Sequence, residues 1–173
     1  MSASDPSTYE EIIIESTDGS KSVDLRGGVT SIDYYEDIFS PTITAKISVT
    51  NTGPVIDGKS LYQGLGLRGA ERVSLKIKGN VDGMPGLDFS QKPDDYLFVS
   101  GISNVVADNN QESLTLNLCS KIAISNETTR VTKKYPTSQN ITASVESIVN
   151  EYLGKGLFAS PPDQTQNKYG FIG

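Results

Sequence analysis

The most explicit chemical motif in the chain is GLGLRG, at residues 64–69. It matches the G-x-G-x-x-G fingerprint, whose glycines permit a tight turn and bring backbone amides close to a pyrophosphate. That fingerprint needs a strand before it and a helix directly after it. Here an alternating, strand-like run follows from Glu71 instead. The segment is therefore predicted to be a flexible loop, and no nucleotide cofactor is expected.

Paired carboxylates are the second kind of residue that could do chemistry, and the chain offers Glu10, Glu11, Asp33, Glu36 and Asp37. Adjacent acids at strand ends point to opposite faces, so the acids at 36 and 37 are interpreted as a solvated edge. The chain contains no His. It therefore lacks the usual general base near neutral pH and the usual partner of a Ser or Cys nucleophile. We expect no enzymatic activity.

The remaining ligand-like residues have simple structural interpretations. Residues 80–83 and 94–95 are rich in Asn and Asp, but they lack the alternating oxygen ligands and terminal Glu of a calcium loop. Turn chemistry explains them better. The single Cys119 lies in an alternating run and is interpreted as a small buried residue. The sequence therefore predicts no metal site, and Lys133-Lys134 is interpreted as an ordinary basic pair.

Length and charge narrow the class of protein. The 173 residues carry 21 acidic and 15 basic side chains, a net charge of -6. That balance argues against binding nucleic acid by neutralising its phosphates, although it suits a channel through which DNA passes without sticking. The N-terminal residues lack a basic start and an apolar stretch, and no run approaches the ~20 apolar residues of a membrane span. We expect neither a signal peptide nor a membrane partner.

Alternating apolar and polar residues predict a mainly β fold. The clearest run is 41–51, where apolar residues from Ile43 to Val49 alternate with Thr, Lys and Ser. Comparable runs predict further strands at 9–17, 21–25, 29–35, 71–79, 96–106 and 113–120. The last two are expected to pair as a hairpin, with a row of leucines facing inward.

The long connection at residues 51–70 is the candidate contact surface. It is too long for a tight hairpin, and connections of this length are usually functional or disordered. Its apolar residues indicate that it packs against something. The candidate intersubunit contacts are Val55, Ile56, Leu61, Tyr62, Leu65, Leu67 and Arg68.

The pattern changes near residue 129. Thr137 or Ser138 is expected to cap a helix that runs to about Leu153, and Gly154 follows as a stop. The tail beyond contains Pro161-Pro162 and is interpreted as a linker. We therefore expect a β domain at 1–128, followed at 129–173 by a helix and linker that begin a further, incomplete region.

Four segments together resemble a known family: DYYEDIFSPTITAKISVTN, GLGLRGAERVSLKIKG, DYLFVSGISNVVADNNQESLTLNLCSK and NETTRVTKKYPTSQNITASVESIVNEYL. In order and character they resemble the N-terminal part of the central baseplate hub proteins of T-even-type contractile-tailed phages. The resemblance covers residues 9–153 and rests on no catalytic signature.

The resemblance implies a tube-type domain, a small antiparallel β-barrel also found in tail tube proteins. Family members typically carry two such domains, and three chains form a ring with pseudo-sixfold symmetry. That ring binds the central spike protein on one side and tube-initiating proteins on the other, without enzymatic activity. The resemblance thus implies a structural protein of the virion, made in the host cytoplasm, with DNA only passing through its lumen.

This sequence departs from the family pattern because only one tube-type domain fits before the helix. Either the chain is a fragment, or it is a one-domain relative that forms a homohexamer, as a tail tube or tube-initiator protein does. An alternative from another class is a carbohydrate-binding or adhesin β-domain. The absence of Trp and of a signal peptide weighs against that alternative.

Overall fold

A computed structural model describes residues 7–40, 42–81, 83, 85–91, 95–108 and 111–154. The chain divides into two compact units between Lys121 and Ile122, whereas the sequence had placed a boundary at 128/129. The first unit is an antiparallel sheet of eight strands. Its strands are β1 (Thr8–Glu15), β2 (Ser22–Asp24), β3 (Val29–Tyr35), β4 (Thr44–Thr52), β5 (Arg72–Lys78), β6 (Leu87–Phe89), β7 (Leu97–Ala107) and β8 (Gln111–Ser120).

The sheet curves into a half-barrel, and its strand order explains why. The order is β2-β1-β5-β7-β8-β4-β3, with β6 pairing β5. The two outer strands, β2 and β3, are consecutive in sequence and are joined only by residues 25–28. So short a connection spans at most about 18 Å. The sheet must therefore bend until its outer strands approach each other at this corner.

Close backbone approach at the corner requires a glycine. The Gly28 carbonyl accepts a hydrogen bond from the Thr50 amide at 2.7 Å. A Cβ at Gly28 would lie 2.8 Å from the Thr50 carbonyl oxygen and 2.6 Å from Asn51 Oδ1. Real Cβ atoms do not approach other atoms so closely, so a side chain here would push the corner away from β4.

The concave face of the sheet holds the core, and alternation along each strand supplies it. Five strands contribute buried side chains to this core: Ala45, Ile47 and Val49 of β4; Leu114, Leu116 and Leu118 of β8; Ile12 and Ile14 of β1; Val73 and Leu75 of β5; and Leu97 and Val99 of β7. The predicted mainly β fold and the predicted inward rows on β4 and β8 are confirmed. The prediction that 96–106 and 113–120 pair as a hairpin is also confirmed.

Helical segments differ from their prediction. The connection at 51–70 contains the short helix α1 (Leu61–Leu65), and α2 (Lys121–Thr128) directly follows β8. The sequence analysis predicted neither. Five residues of α1 are too few to show a helical period, and α2 has no buried residues to mark a face.

The second unit contains the predicted helix, but the helix begins later. It is α3 (Ile141–Ile148), continued by a π-helical turn at Val149–Leu153. Its N-cap is Asn140, without a capping side-chain hydrogen bond, so the prediction that Thr137 or Ser138 is the cap is wrong. Lys133 Nζ reaches Glu151 Oε2 at 2.9 Å, and this hydrogen bond raises the pKa of Lys133. The predicted linker with Pro161-Pro162 lies outside the described residues.

Candidate assembly surfaces

The connection between β4 and β5 folds back over one end of the half-barrel. It begins with a tight turn in which the Val55 amide donates to the Lys59 carbonyl at 2.8 Å. The helix α1 follows, with the Ser60 hydroxyl accepting from the Gln63 amide at 3.3 Å as its N-cap. Gly66 ends the helix in the left-handed region at φ 65°. We call this structure, residues 53–70, the closed end of the sheet.

Two buried carboxylates fasten the closed end. Glu112 of β8 is 5% exposed, and it accepts from the amides of Leu61 at 2.7 Å and Tyr62 at 3.2 Å. Glu71 is 1% exposed, and it accepts from the amides of Arg68 at 2.7 Å and Gly69 at 3.0 Å. Each carboxylate replaces lost hydration with backbone donors, which is how a buried acid is tolerated.

These contacts place the seven predicted contact residues in three groups. Leu61, Leu65 and Leu67 are 0%, 7% and 3% exposed and belong to the core of the same chain. Val55 and Ile56 are half-buried and pack against that core. Tyr62 and Arg68 are exposed. The apolar residues of this connection are therefore accounted for by packing within the chain, and Tyr62 and Arg68 are the two available to a neighbour.

The connection between β3 and β4 lies at the other end of the sheet and carries the exposed apolar residues that the sequence analysis missed. Ile38 is 92% exposed and Phe39 is 94% exposed. Asp37 Oδ1 accepts from the Phe39 amide at 2.9 Å, and the Asp37 carbonyl accepts from the Ser40 amide at 2.9 Å. These bonds shape a turn that keeps both side chains outside the core. We call Ile38 and Phe39 the apolar tip.

A signal for the apolar tip is present in the sequence. Two large apolar residues stand between the acids at 36 and 37 and the Ser-Pro at 40–41, in a connection that joins two alternating strands. A short connection offers such residues little core to pack into. From the sequence, this segment was considered for its carboxylates and for the family resemblance, but not as an exposed apolar surface.

The outer strands form a third surface. Within the described part of the chain, β3 pairs with β4 alone and β2 pairs with β1 alone. Strand β3 therefore presents a row of backbone groups with no partner strand on its outer side, although the Val29 amide at its start donates to the Leu25 carbonyl at 3.1 Å. Such an edge is a template for pairing with another strand.

The carboxylates named in the sequence analysis do not converge on one site. Glu10 lies 3.3 Å from Lys76 Nζ, and this hydrogen bond raises the pKa of Lys76. Glu11 accepts from the Ser74 hydroxyl. Asp33 stands opposite Lys46 in the β3–β4 register. No group of three or more metal-ligating side chains of the His, Cys, Asp or Glu type occurs among the described residues.

Burial raises the pKa of two further titratable groups near these strands. Burial and then the hydrogen bond to Glu36 raise the pKa of Tyr34 to about 12. Cys119 is 8% exposed, and its burial raises the pKa of the thiol. The interpretation of Cys119 as a small buried residue is confirmed, and a raised pKa disfavours the nucleophilic thiolate.

Comparisons with protein-family models, with curated proteins and with solved structures found no match to this chain. Among the described residues, no helix has the length and hydropathy needed to cross a bilayer.

Proposed function

We propose that this chain is a non-enzymatic structural subunit of a phage tail baseplate hub, in which copies form a ring between the tail tube and the central spike. The observation that carries the proposal is the curved antiparallel sheet whose outer strands β2 and β3 each have one partner among the described residues. A free strand edge favours aggregation unless it is covered. Pairing with a sibling chain covers it.

The geometry of the sheet favours a ring. Its outer strands β2 and β3 are two different strands, and β6 adds a further edge because it pairs with β5 alone among the described residues. A contact in which β3 of one copy pairs with β2 of the next joins two different edges, so it is head-to-tail rather than twofold. A head-to-tail contact that closes after a fixed number of copies produces a ring. The net charge of -6 suits a lumen that DNA crosses without sticking. In this proposal the spike protein binds one face of the ring and tube or tube-initiator proteins bind the other, within the virion and without a membrane.

The described acids support a structural role as well. Glu10 contacts Lys76, Glu11 accepts from the Ser74 hydroxyl, and the two buried carboxylates bind backbone amides of the closed end. In this proposal these acids stabilise the fold rather than carry out acid–base chemistry.

Copy number tests the proposal directly. Mass photometry and electron microscopy of the purified chain are expected to show a ring of three or six copies. Three copies favour a hub subunit, and six favour a tail tube or tube-initiator subunit. A chain that stays monomeric at micromolar concentration contradicts the proposal, as does a ring that fails to bind both spike and tube proteins.

Hydrogen exchange locates the interface. If β3 pairs with a sibling strand, its outer amides exchange at least about ten-fold more slowly in the ring than in dilute monomer. Strand β4 is the matched control, because β3 and β8 flank it in every chain. Its exchange is expected to change little. Equal protection of β3 in both samples would show that the ring uses another surface.

A further inference from the structure

The apolar tip is a candidate contact for another molecule. Ile38 and Phe39 are the most exposed large apolar side chains among the described residues, at 92% and 94%. Tyr35, the last residue of β3, is 51% exposed and lines one open groove together with Ile38. Apolar surface that a fold holds in solvent usually marks a contact site. Here two hydrogen bonds to Asp37 shape the turn that holds it there.

Two carboxylates directly precede the tip. Among the described residues, neither Glu36 nor Asp37 forms a salt bridge with Lys or Arg. Glu36 accepts from the Tyr34 hydroxyl, and Asp37 accepts from the Phe39 amide. A carboxylate has about four lone-pair sites. Both acids therefore keep acceptor sites for a partner's cation.

Other acids of the same unit already have a cation of their own chain beside them. Asp33 stands opposite Lys46 in the β3–β4 register. Four more acids form salt bridges: Glu10 with Lys76, Glu15 with Arg72, Asp24 with Arg26, and Asp57 with Lys21. The tip thus combines exposed apolar side chains with negative charge that the described residues leave unpaired.

The proposed ring places the tip on one of its two faces. When neighbouring copies pair edge to edge, their sheets continue around the ring, and the strands run along its axis with a tilt. The connections at the strand ends then form the faces. Cys119 of β8 pairs with Thr44 at the tip's end of the sheet, and Ser113 of β8 pairs with Val106 toward the other end. Between Ser113 and Cys119 the strand rises about 20 Å, at ~3.4 Å per residue.

A different protein, rather than a second copy, fits this surface. In the proposed function another protein covers each face of the ring, so a second ring has no place there. Two tips brought together would set the acids at 36 and 37 of both copies side by side, and like charges repel. A partner surface that carries cations is attracted to the same acids. Charge therefore favours a basic partner.

Repetition around the ring compensates for the small size of a single tip. Two side chains form a contact well below the ~1,200 Å² of a stable protein interface. In a head-to-tail ring every copy presents its tip on the same face. A partner that binds several tips at once gains about 10²–10⁴ in overall affinity over one contact. Weak single contacts therefore suffice.

We propose that the apolar tip binds one of the two proteins that cap the ring, through an apolar pocket on that protein bordered by Lys or Arg. The side chains of Ile38 and Phe39 enter the pocket, and the carboxylates of Glu36 and Asp37 meet its cations. This inference rests on the proposed function and assigns one face of the ring to the apolar tip.

Substitution of exposed apolar residues at the two ends of the sheet tests the assignment. Purified spike and tube-initiator proteins are each titrated with wild-type and with Phe39→Asp rings. The variant is expected to bind one of the two at least about ten-fold more weakly and the other unchanged. The control is Val106→Asp, because Val106 is 65% exposed, and it should bind the Phe39-dependent protein as the wild type does. Unchanged or equally weakened binding of both proteins by Phe39→Asp overturns the proposal, as does loss of that protein in the control.

Neutral variants of the two acids test for cations on the partner. Glu36→Gln with Asp37→Asn keeps acceptor oxygens, so the amide oxygen at 37 can still accept from the Phe39 amide. Raising NaCl from about 0.01 to 1 M shortens the Debye length from ~30 to ~3 Å. Wild-type rings are expected to lose affinity for the partner over this range, whereas the double variant binds weakly at low salt and changes little. The same salt dependence in both would show that these acids meet no cations.

Peptide probes on the dilute chain separate this inference from the proposed function. Two synthetic peptides share the same Leu and Phe residues, and one carries Lys where the other carries Glu. The Lys peptide alone is expected to shift the backbone amide NMR signals of residues 36–40, and Phe39→Asp should abolish the shift. Equal shifts with the Glu peptide, or none at 36–40, overturn the proposed recognition chemistry whether or not rings form. Absence of rings in the wild type refutes the proposed function, while the peptide result still decides what the tip binds.

Discussion

The connections at opposite ends of the sheet place their apolar residues in opposite environments. At the closed end, Leu61, Leu65 and Leu67 enter the core of the chain. At the other end, Ile38 and Phe39 are almost fully exposed. The two connections differ in which groups accept hydrogen bonds from their backbone amides. The amides of the closed end donate to two buried carboxylates, Glu112 of β8 and Glu71 directly before β5, whereas the turn at the tip is closed by hydrogen bonds to its own Asp37.

This comparison shows that apolar content alone does not identify a contact surface. The closed end has more apolar residues, yet a neighbour can reach little of that surface. The tip has two, and both are available. Substitutions at the two ends are therefore expected to separate folding from assembly.

The largest expected effect is on stability at the closed end. Leu61→Ala removes a side chain that is 0% exposed, and such truncations cost about 2–5 kcal/mol of unfolding free energy. Urea unfolding of the dilute chain, followed by circular dichroism, measures this loss. The matched variant Phe39→Ala, at the tip, should change the free energy by less than about 0.5 kcal/mol. Similar losses at both ends would remove the distinction between them.

A smaller loss is expected at the carboxylate that holds α1. Glu112→Ala leaves the amides of Leu61 and Tyr62 without their acceptor. An unsatisfied buried donor costs about 1–3 kcal/mol. The comparison variant is Glu36→Ala, since Glu36 is exposed and accepts from the Tyr34 hydroxyl at 2.9 Å. That variant is expected to unfold at nearly the wild-type urea concentration, and a larger shift there than at Glu112 would contradict the argument.

The strands were predictable because their alternation is local. The run from Ile43 to Val49 shows one buried face and one exposed face, and the structure has both. The closed end was not predictable, because its folding depends on Glu112, which lies 51 residues beyond Leu61 in sequence. Nothing in the sequence of residues 51–70 indicates that hydrogen bond. A connection that packs onto the core therefore cannot be distinguished, from sequence, from one that projects into solvent. The tip was visible as two apolar residues between acids and Ser-Pro, but exposure had to come from the structure.

Packing inside the closed end supports a third prediction, in which the expected net change in stability is smaller. A Cβ on Gly64 would lie 2.9 Å from the Ile56 Cβ and 3.1 Å from its carbonyl oxygen. Overpacking costs about 1–3 kcal/mol, against a gain of about 1 kcal/mol from replacing a helical glycine. Gly64→Ala is therefore expected to lower the thermal midpoint slightly. Gly27→Ala is the control, because nothing lies within 4 Å of its added Cβ. A stabilised Gly64→Ala chain would show that Ile56 gives way easily and that the closed end is loosely packed.

The smallest expected effect concerns the turn at residues 16–21, which borders the closed end. The hydroxyl of Ser16, and then the amide and hydroxyl of Ser20, hold the pKa of Asp18 at about 2, below its ordinary value of 3.8. A lowered native pKa stabilises the turn above about pH 4, and the contribution disappears as the pH falls toward 2. A carboxyl carbon chemical-shift titration of Asp18 measures the value directly. Ser16→Ala removes the largest cause, so the midpoint should move up toward 3.8. A wild-type midpoint already near 3.8 would mean that these side-chain hydrogen bonds do not hold the exposed turn in place. The buried carboxylates would then be the groups that order this end of the sheet.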